Sequence, residues 1–244
     1  ETVFYPIDLH DILEIHAVGG SRGHCSFAAT GIAIDCAPEK NLVTRAYHLL
    51  AEEHDLPAVD VHLHKVIPYG AGLGGGSADA AFMLVGLNRL FSLGLSEGQL
   101  MAYAAQLGSD CAFFVQNRPV FAFGKGELME PVDLSLSAYS MVLVKPDRGV
   151  STPEAYRGIE PRPAAFDLRE IGKLPVSAWE GVVANDFEAS VIPRVPEIGE
   201  VKDKLRSLGA LYVAMTGSGS AVYALFKNPV DVGEYFPGCF VWNN

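Results

Sequence analysis

Apolar positions recur along this chain with two periods. Val59, Val61 and Leu63 alternate with Asp60, His62 and His64, the spacing of two that a half-buried strand requires. Ahead of them Leu42, Ala46, Leu49 and Leu50 fall at helical spacing behind Asn41, whose side chain suits a helix cap. Ala80, Met83, Leu84, Leu87 and Phe91 predict a second helix. A third opens on Ser96 and Gln99 in capping-box register, carries Leu100, Tyr103, Ala104 and Leu107 on one face, and stops at Gly108. Pro196 starts another, through Ile198, Val201, Leu205 and Leu208 to Gly209. Strands are predicted over residues 2–7, 119–123, 139–144, 211–215 and 221–226, the last two joined by the turn Thr216-Gly217-Ser218-Gly219-Ser220.

Residues 161–175 are proline-rich and read as a surface excursion, and the turn Pro146-Asp147-Arg148-Gly149 suggests a soft boundary. Two domains are therefore expected, over residues 1–146 and 147–244. Strands and helices mix without a regular βαβ rhythm, which predicts an α+β fold in two parts.

Composition narrows the classes of partner. In 244 residues, 49% of them hydrophobic, 18 basic side chains face 29 acidic ones for a net charge of −11, with no basic cluster. Nucleic acid and anionic membrane are poor partners for such a surface. No apolar run reaches the roughly 18 residues that span a bilayer, and no secretory signal opens the chain, so a cytoplasmic protein is expected. The four cysteines, at 25, 36, 111 and 239, form no C-x-x-C pair and are expected to be buried thiols. The chain begins at Glu1, already close to a strand, and an upstream segment is expected to be missing.

The chemistry concentrates in Pro68-Tyr69-Gly70-Ala71-Gly72-Leu73-Gly74-Gly75-Gly76-Ser77-Ala78-Asp79-Ala80-Ala81, which sets glycines at 70, 72, 74, 75 and 76 between a strand and a helix start. Glycine lets backbone approach a ligand closely or take positive φ, and a helix start offers unpaired N–H groups and a positive dipole end. A phosphate is the expected guest, and a side chain at Gly75 is expected to fill its space. A Walker A loop would need a lysine after these glycines, and none follows. Gly70-x-Gly72-x-x-Gly75 fits the dinucleotide pattern, but the next acidic residue beyond Asp79 is Glu97 and the next element is a helix.

This loop resembles, almost letter for letter, the phosphate loop of the GHMP kinases, the superfamily of galactokinase, homoserine kinase and mevalonate kinase. Asn41-Leu42-Val43 before it, Leu107-Gly108-Ser109-Asp110 after it, and Thr216-Gly217-Ser218-Gly219-Ser220-Ala221 near the C-terminus fall in the family's order, so the likeness covers nearly the whole chain. It implies an N-terminal ATP-binding α+β domain, a C-terminal ferredoxin-like domain and an active site in the cleft between them. It further implies a kinase that uses ATP and Mg2+, acts on a small molecule and is a monomer or homodimer.

Carried over residue by residue, the resemblance puts Pro68, Gly70, Ala71, Gly72, Leu73, Gly74, Gly75, Gly76, Ser77 and Ala78 around the ATP phosphates. Asn41, Leu42 and Lys65 would lie near the adenine, and Ser77 at the metal. Asp110 would take the proton of the attacking hydroxyl, with Gly217, Ser218 and Gly219 lining the substrate pocket. Lys65-Val66-Ile67-Pro68, Gly124-Lys125-Gly126-Glu127, Val150-Ser151-Thr152 with Tyr156, and Asn185-Asp186-Phe187-Glu188 narrow the likeness to a branch whose acceptor is a cytidine diphosphate ester of a branched polyol. A homoserine- or mevalonate-type acceptor, and a nucleotide-binding regulator without turnover, are the alternatives.

Each residue also has a plainer reading. Asn41 or Ser77 is a helix cap, Asp110 a cap or ion-pair acid, and the turn at 217–219 a hairpin. Asp79 suits a helix dipole as well as a metal, and His62 and His64 lack a third ligand. The chain departs from the family at Cys111-Ala112, where Val-Pro is usual, and at Val183, where an aromatic is expected against the base. Cys111 is not read as catalytic. The catalytic lysine and cytosine-binding residues that the resemblance implies would precede Thr2.

Overall fold

The computed structural model describes residues 1–19, 22–160 and 162–244. They divide into two compact units. The first comprises residues 1–68 and 74–131, the second residues 69–73 and 132–244.

The first unit contains β1 (Thr2–Phe4), β2 (Ile12–Ala17), β3 (Cys25–Gly31), α1 (Leu42–Ala51), β4 (Val59–Lys65), α2 (Gly75–Leu90), α3 (Glu97–Leu107), α4 (Cys111–Gln116), β5 (Val120–Phe123) and β6 (Leu128–Pro131). Strand β4 is central to a three-stranded sheet, antiparallel to β2 and parallel to β3. Its alternation has the expected consequence: Val59, Val61 and Leu63 are buried in one core with Leu50, Met83, Leu84, Leu87, Leu100 and Ala104 from the helices. A second sheet orders β1, β5 and β6, all antiparallel. The helix ends follow their capping chemistry, with the Asn41 side chain accepting from the Val43 amide at 2.9 Å and Ser96 and Gln99 forming the reciprocal box that opens α3.

The second unit contains β7 (Ser140–Lys145), α5 (Thr152–Tyr156), α6 (Glu188–Val191), α7 (Pro196–Ser207), β8 (Tyr212–Met215), β9 (Val222–Phe226) and β10 (Phe240–Asn243). Its sheet is antiparallel throughout in the order β10-β7-β9-β8. Numbered within the unit that order is 4-1-3-2, the ferredoxin-like arrangement, with the second crossover reduced to a single 3-10 turn at Gly233–Tyr235. Ile198, Val201 and Leu205 of α7 bury their predicted face against Val213, Val222 and Ala224.

The turn at 146–149 lies inside this second unit, because the strand before it, β7, pairs with β9 and β10. Of the predicted surface excursion, Pro161 lies outside the described residues, and the later part is less superficial than its prolines suggest. Ile171 and Val176 are buried there, and Trp179 follows with its indole N–H donating to the Leu174 carbonyl at 3.2 Å. Cys36 is exposed, unlike the buried thiol expected at that position. No helix among the described residues is long and apolar enough to cross a membrane.

Candidate active site

The inward face of β4 does not stop at Leu63. Two residues on, the same periodicity carries Lys65 into the core, where its side chain is 1% exposed. A buried ammonium needs counter-charges. Lys65 Nζ is bonded to Asp11 Oδ2, and Asp79 Oδ2 accepts from it at 2.9 Å. The other oxygen of Asp11 accepts the amides of Val66 and Ile67 at 2.5 and 2.8 Å, so one carboxylate fixes both the lysine and the strand end that leads into the glycine loop.

Burial pushes the Asp11 carboxyl up, but the hydrogen bonds from Lys65, Ile67 and Val66 together outweigh it and hold the group below the usual carboxylate range. Asp79 lacks amide donors. Burial pushes it up to about 7, opposed by the Lys65 ammonium and reinforced by the Asp11 charge. Since α2 begins at Gly75, Asp79 lies beyond the first turn, and its partner is the lysine rather than the helix dipole. Lys65, expected beside the adenine, thus has its ammonium held by two carboxylates of its own unit.

Within the glycine loop the residues do different jobs. Gly74 is the N-cap of α2 in left-handed geometry, φ +68°, so the plain cap role considered for Ser77 is taken by backbone alone. A Cβ on Gly75 would lie 2.9 Å from Ile67 Cγ2 and 3.1 Å from Lys65 Nζ, so this glycine serves close packing against the strand end and the buried ion cluster. That corrects the expectation that a Gly75 side chain would fill phosphate space. The open position is Gly76, where a Cβ would meet only Leu42 Cδ1, at 3.9 Å. Gly70 is open too, with no atom within 4 Å of its missing Cβ. Gly75, Gly76 and Ser77 are the first three residues of α2, whose N–H groups have no acceptor inside a helix. Open space above such a row fits a phosphate group.

Residues 69–73, the first half of the loop, belong to the second unit. There the carbonyls of Gly70 and Ala71 accept the amides of Ser220 and Ala221 at 2.9 and 3.1 Å, and the Thr216 hydroxyl donates to the Gly72 carbonyl at 2.9 Å. Gly72 is required here, with φ +70° and a Cβ position only 2.0 Å from the Thr216 carbonyl oxygen. Thr216-Gly217-Ser218-Gly219-Ser220 is the hairpin turn between β8 and β9, and it also holds the first half of the glycine loop. Thr152, at the start of α5, approaches the Ser218 hydroxyl at 3.2 Å. The Ser220 hydroxyl is buried without a partner among the described residues, and a Cβ on Gly149 would lie 3.0 Å from it.

Asp110 stands at the start of α4 but makes no side-chain cap. Among the described residues it forms no salt bridge, and its one hydrogen bond is from the Ser109 hydroxyl at 3.3 Å. Neither plainer reading of this acid therefore describes it. The next residue, Cys111, is buried, and Phe114 of the same helix packs against the start of α2, its ring 2.9 Å from where a Cβ on Gly74 would lie. That packing places Asp110 near the start of α2. Burial, with the Asp110 charge adding and Ser77 opposing, pushes the Cys111 thiol up, which suits packing rather than nucleophilic chemistry. Gly126, of the turn Gly124-Lys125-Gly126-Glu127, also faces Asp110, since a Cβ there would lie 4.0 Å from its Oδ1.

The imidazoles of His62 and His64 both reach the Thr30 hydroxyl, at 3.1 and 3.0 Å, and His62 also faces Glu14. Among the described residues no three His, Cys, Asp or Glu side chains are grouped to hold a metal. Val183 offers its carbonyl to the Tyr212 hydroxyl at 3.0 Å.

The chain belongs to the GHMP kinase family. Residues 41–124 match the GHMP kinases N terminal domain and residues 162–234 the GHMP kinases C terminal domain. Among curated relatives it is similar to the 4-diphosphocytidyl-2-C-methyl-D-erythritol kinase of Parabacteroides distasonis, 51% identical over 99% of this chain and 89% of the relative. The enzyme of that name from Bacteroides fragilis is 54% identical over 93% and 83% of the two chains. A crystal structure of 4-(cytidine 5'-diphospho)-2C-methyl-D-erythritol kinase superposes with a TM-score of 0.76 at 32% identity, covering 91% of this chain and 79% of the other. Homoserine kinase from Cytophaga hutchinsonii, TM-score 0.69 at 16% identity, covers 96% and 85% and shares the fold.

Proposed function

We propose that this chain transfers the terminal phosphoryl group of ATP to the 2-hydroxyl of 4-diphosphocytidyl-2-C-methyl-D-erythritol, in the non-mevalonate route to isoprenoid precursors. The observation that carries the chemistry is Asp110, a carboxylate with no cap or ion-pair duty among the described residues, at the head of the helix whose Phe114 packs against Gly74 at the start of α2. The acceptor is carried by the two relatives above, each at least half identical over nearly the whole chain.

In this reading the phosphates of ATP lie on the N–H groups of the first turn of α2, beside Gly76 and Leu42. The bond between the γ-phosphorus and its bridging oxygen breaks as the acceptor oxygen bonds to that phosphorus, and Asp110 accepts the hydroxyl proton. The Ser77 hydroxyl would be the protein oxygen to hold Mg2+, Asp79 being engaged by Lys65. The ion, when bound, neutralises charge on the phosphates.

The test is a phosphoryl-transfer assay with the cytidyl ester, homoserine and mevalonate as acceptors. The cytidyl compound is expected to give the highest kcat/KM. Faster turnover of either smaller alcohol would overturn the acceptor assignment.

A further inference from the structure

Asn185, just ahead of α6, and Glu188, its first residue, have no role in the chemistry above, yet each sends a side-chain polar atom to one turn and uses the other to fix itself. Asn185 Nδ2 donates to the Met215 carbonyl at 2.7 Å and to the Gly217 carbonyl at 2.8 Å, and Oδ1 accepts the Phe187 amide at 2.9 Å. Glu188 Oε1 accepts the Met215 amide at 2.7 Å, while Oε2 pairs with Lys202, a residue buried on α7. Both sides of the Met215 backbone and the carbonyl of Gly217 are therefore fixed by this segment. Thr216, the residue enclosed, donates its hydroxyl to Gly72 of the phosphate loop.

We propose that Asn185 and Glu188 are positioning residues for nucleotide binding. They hold residues 215–217 in the one path that lets Thr216 seat the loop carbonyl, and Lys202 anchors Glu188 to the body of the unit. Without them the glycines at 72, 217 and 219, all at positive φ, would leave this contact free to wander. A part-buried carbonyl deprived of its donor adds a desolvation cost to the loss.

The inference rests on ATP binding at the loop but not on which alcohol accepts the phosphoryl group, so ATP affinity is measured calorimetrically without acceptor. Absence of binding in the parent protein would reject the functional reading itself. Asn185→Asp points an oxygen at two carbonyls and is expected to weaken ATP binding at least tenfold while the acceptor KM stays within twofold. Thr216→Val keeps the segment and removes the hydroxyl, and should show the same split. Glu188→Met should weaken ATP binding, and Glu188→Gln, which retains an acceptor for the Met215 amide, should restore it. If Asn185→Asp fails to fold, Thr216→Val decides. ATP affinity within twofold of the parent in Asn185→Asp or, failing that, in Thr216→Val would overturn the proposal.

Discussion

Replacing Lys65 with methionine removes the cation that Asp11 and Asp79 share. Those carboxylates are 3% and 8% exposed, so neither can recover its hydration. Breaking a buried pair from one side costs about 3–5 kcal/mol. Asp11→Asn should cost less, because Asp79 still faces the ammonium, though the Val66 and Ile67 amides lose a charged acceptor. Asp79→Asn should cost least at neutral pH, where a carboxyl pushed up to about 7 is already about half protonated.

The two acids act on pH dependence in opposite directions. The folded-state pKa of Asp79 lies above its ordinary value of 3.8, so the folded chain keeps a proton that the unfolded chain has released, and stability falls as pH rises toward 7. Between pH 5 and pH 7 that amounts to about 2 kcal/mol. Asp11 is held below its ordinary value, and its contribution is lost only in stronger acid. Urea unfolding followed by circular dichroism at pH 5, 6 and 7 reads all of this. The parent should lose stability across the window and Asp79→Asn should be nearly flat. A Lys65→Met variant within about 1 kcal/mol of the parent at pH 7, or an Asp79→Asn variant with the parent's slope, would refute the reasoning.

Asp110→Asn keeps shape and loses charge, so kcat should fall by about 10²–10⁴ with the ATP dissociation constant nearly constant. Survival of kcat within about threefold would remove Asp110 from the chemistry. Gly76→Val enters open space next to Leu42 and should weaken ATP binding with little change in Tm, whereas Gly75→Val meets Ile67 and Lys65 and should lower Tm by several degrees. Equal effects of the two on both readouts would show that the loop glycines are not divided as the geometry indicates.

Much of the fold was legible because its periodic signals are strong and local. Helices α1, α3 and α7 and strands β4, β8 and β9 lie within a residue or two of their predicted limits, α2 starts at Gly75, ahead of where a Ser77 cap would begin it, and the Asn41 and Ser96 caps are the ones expected. Strands β2 and β10 and the short helices α4, α5 and α6 offered only four to six residues each, too few for a period to stand out. Strand β3, Cys-Ser-Phe-Ala-Ala-Thr-Gly, presents small and polar residues along an exposed edge of its sheet.

At the site the glycine loop and Asp110 could be read directly, while the partners that hold them could not. Asp11 lies 54 positions from Lys65, and Asn185 30 positions from Met215, so only the folded chain brings them together. A signal for the first existed: the alternation of β4, carried one step past Leu63, requires a buried lysine to find acids.

The three loop carbonyls of Gly70, Ala71 and Gly72 are satisfied by Thr216, Ser220 and Ala221, nearly 150 residues downstream in the chain. A ribosome therefore emits the glycine loop long before it emits the groups that complete it. Residues 1–131 produced alone would carry the family's signature loop with its first half unsupported, and a clean cut between the units would remove residues 69–73 from the middle of one to leave them with the other. Gene dissection or domain exchange in this protein has to move the C-terminal hairpin together with the loop it seats.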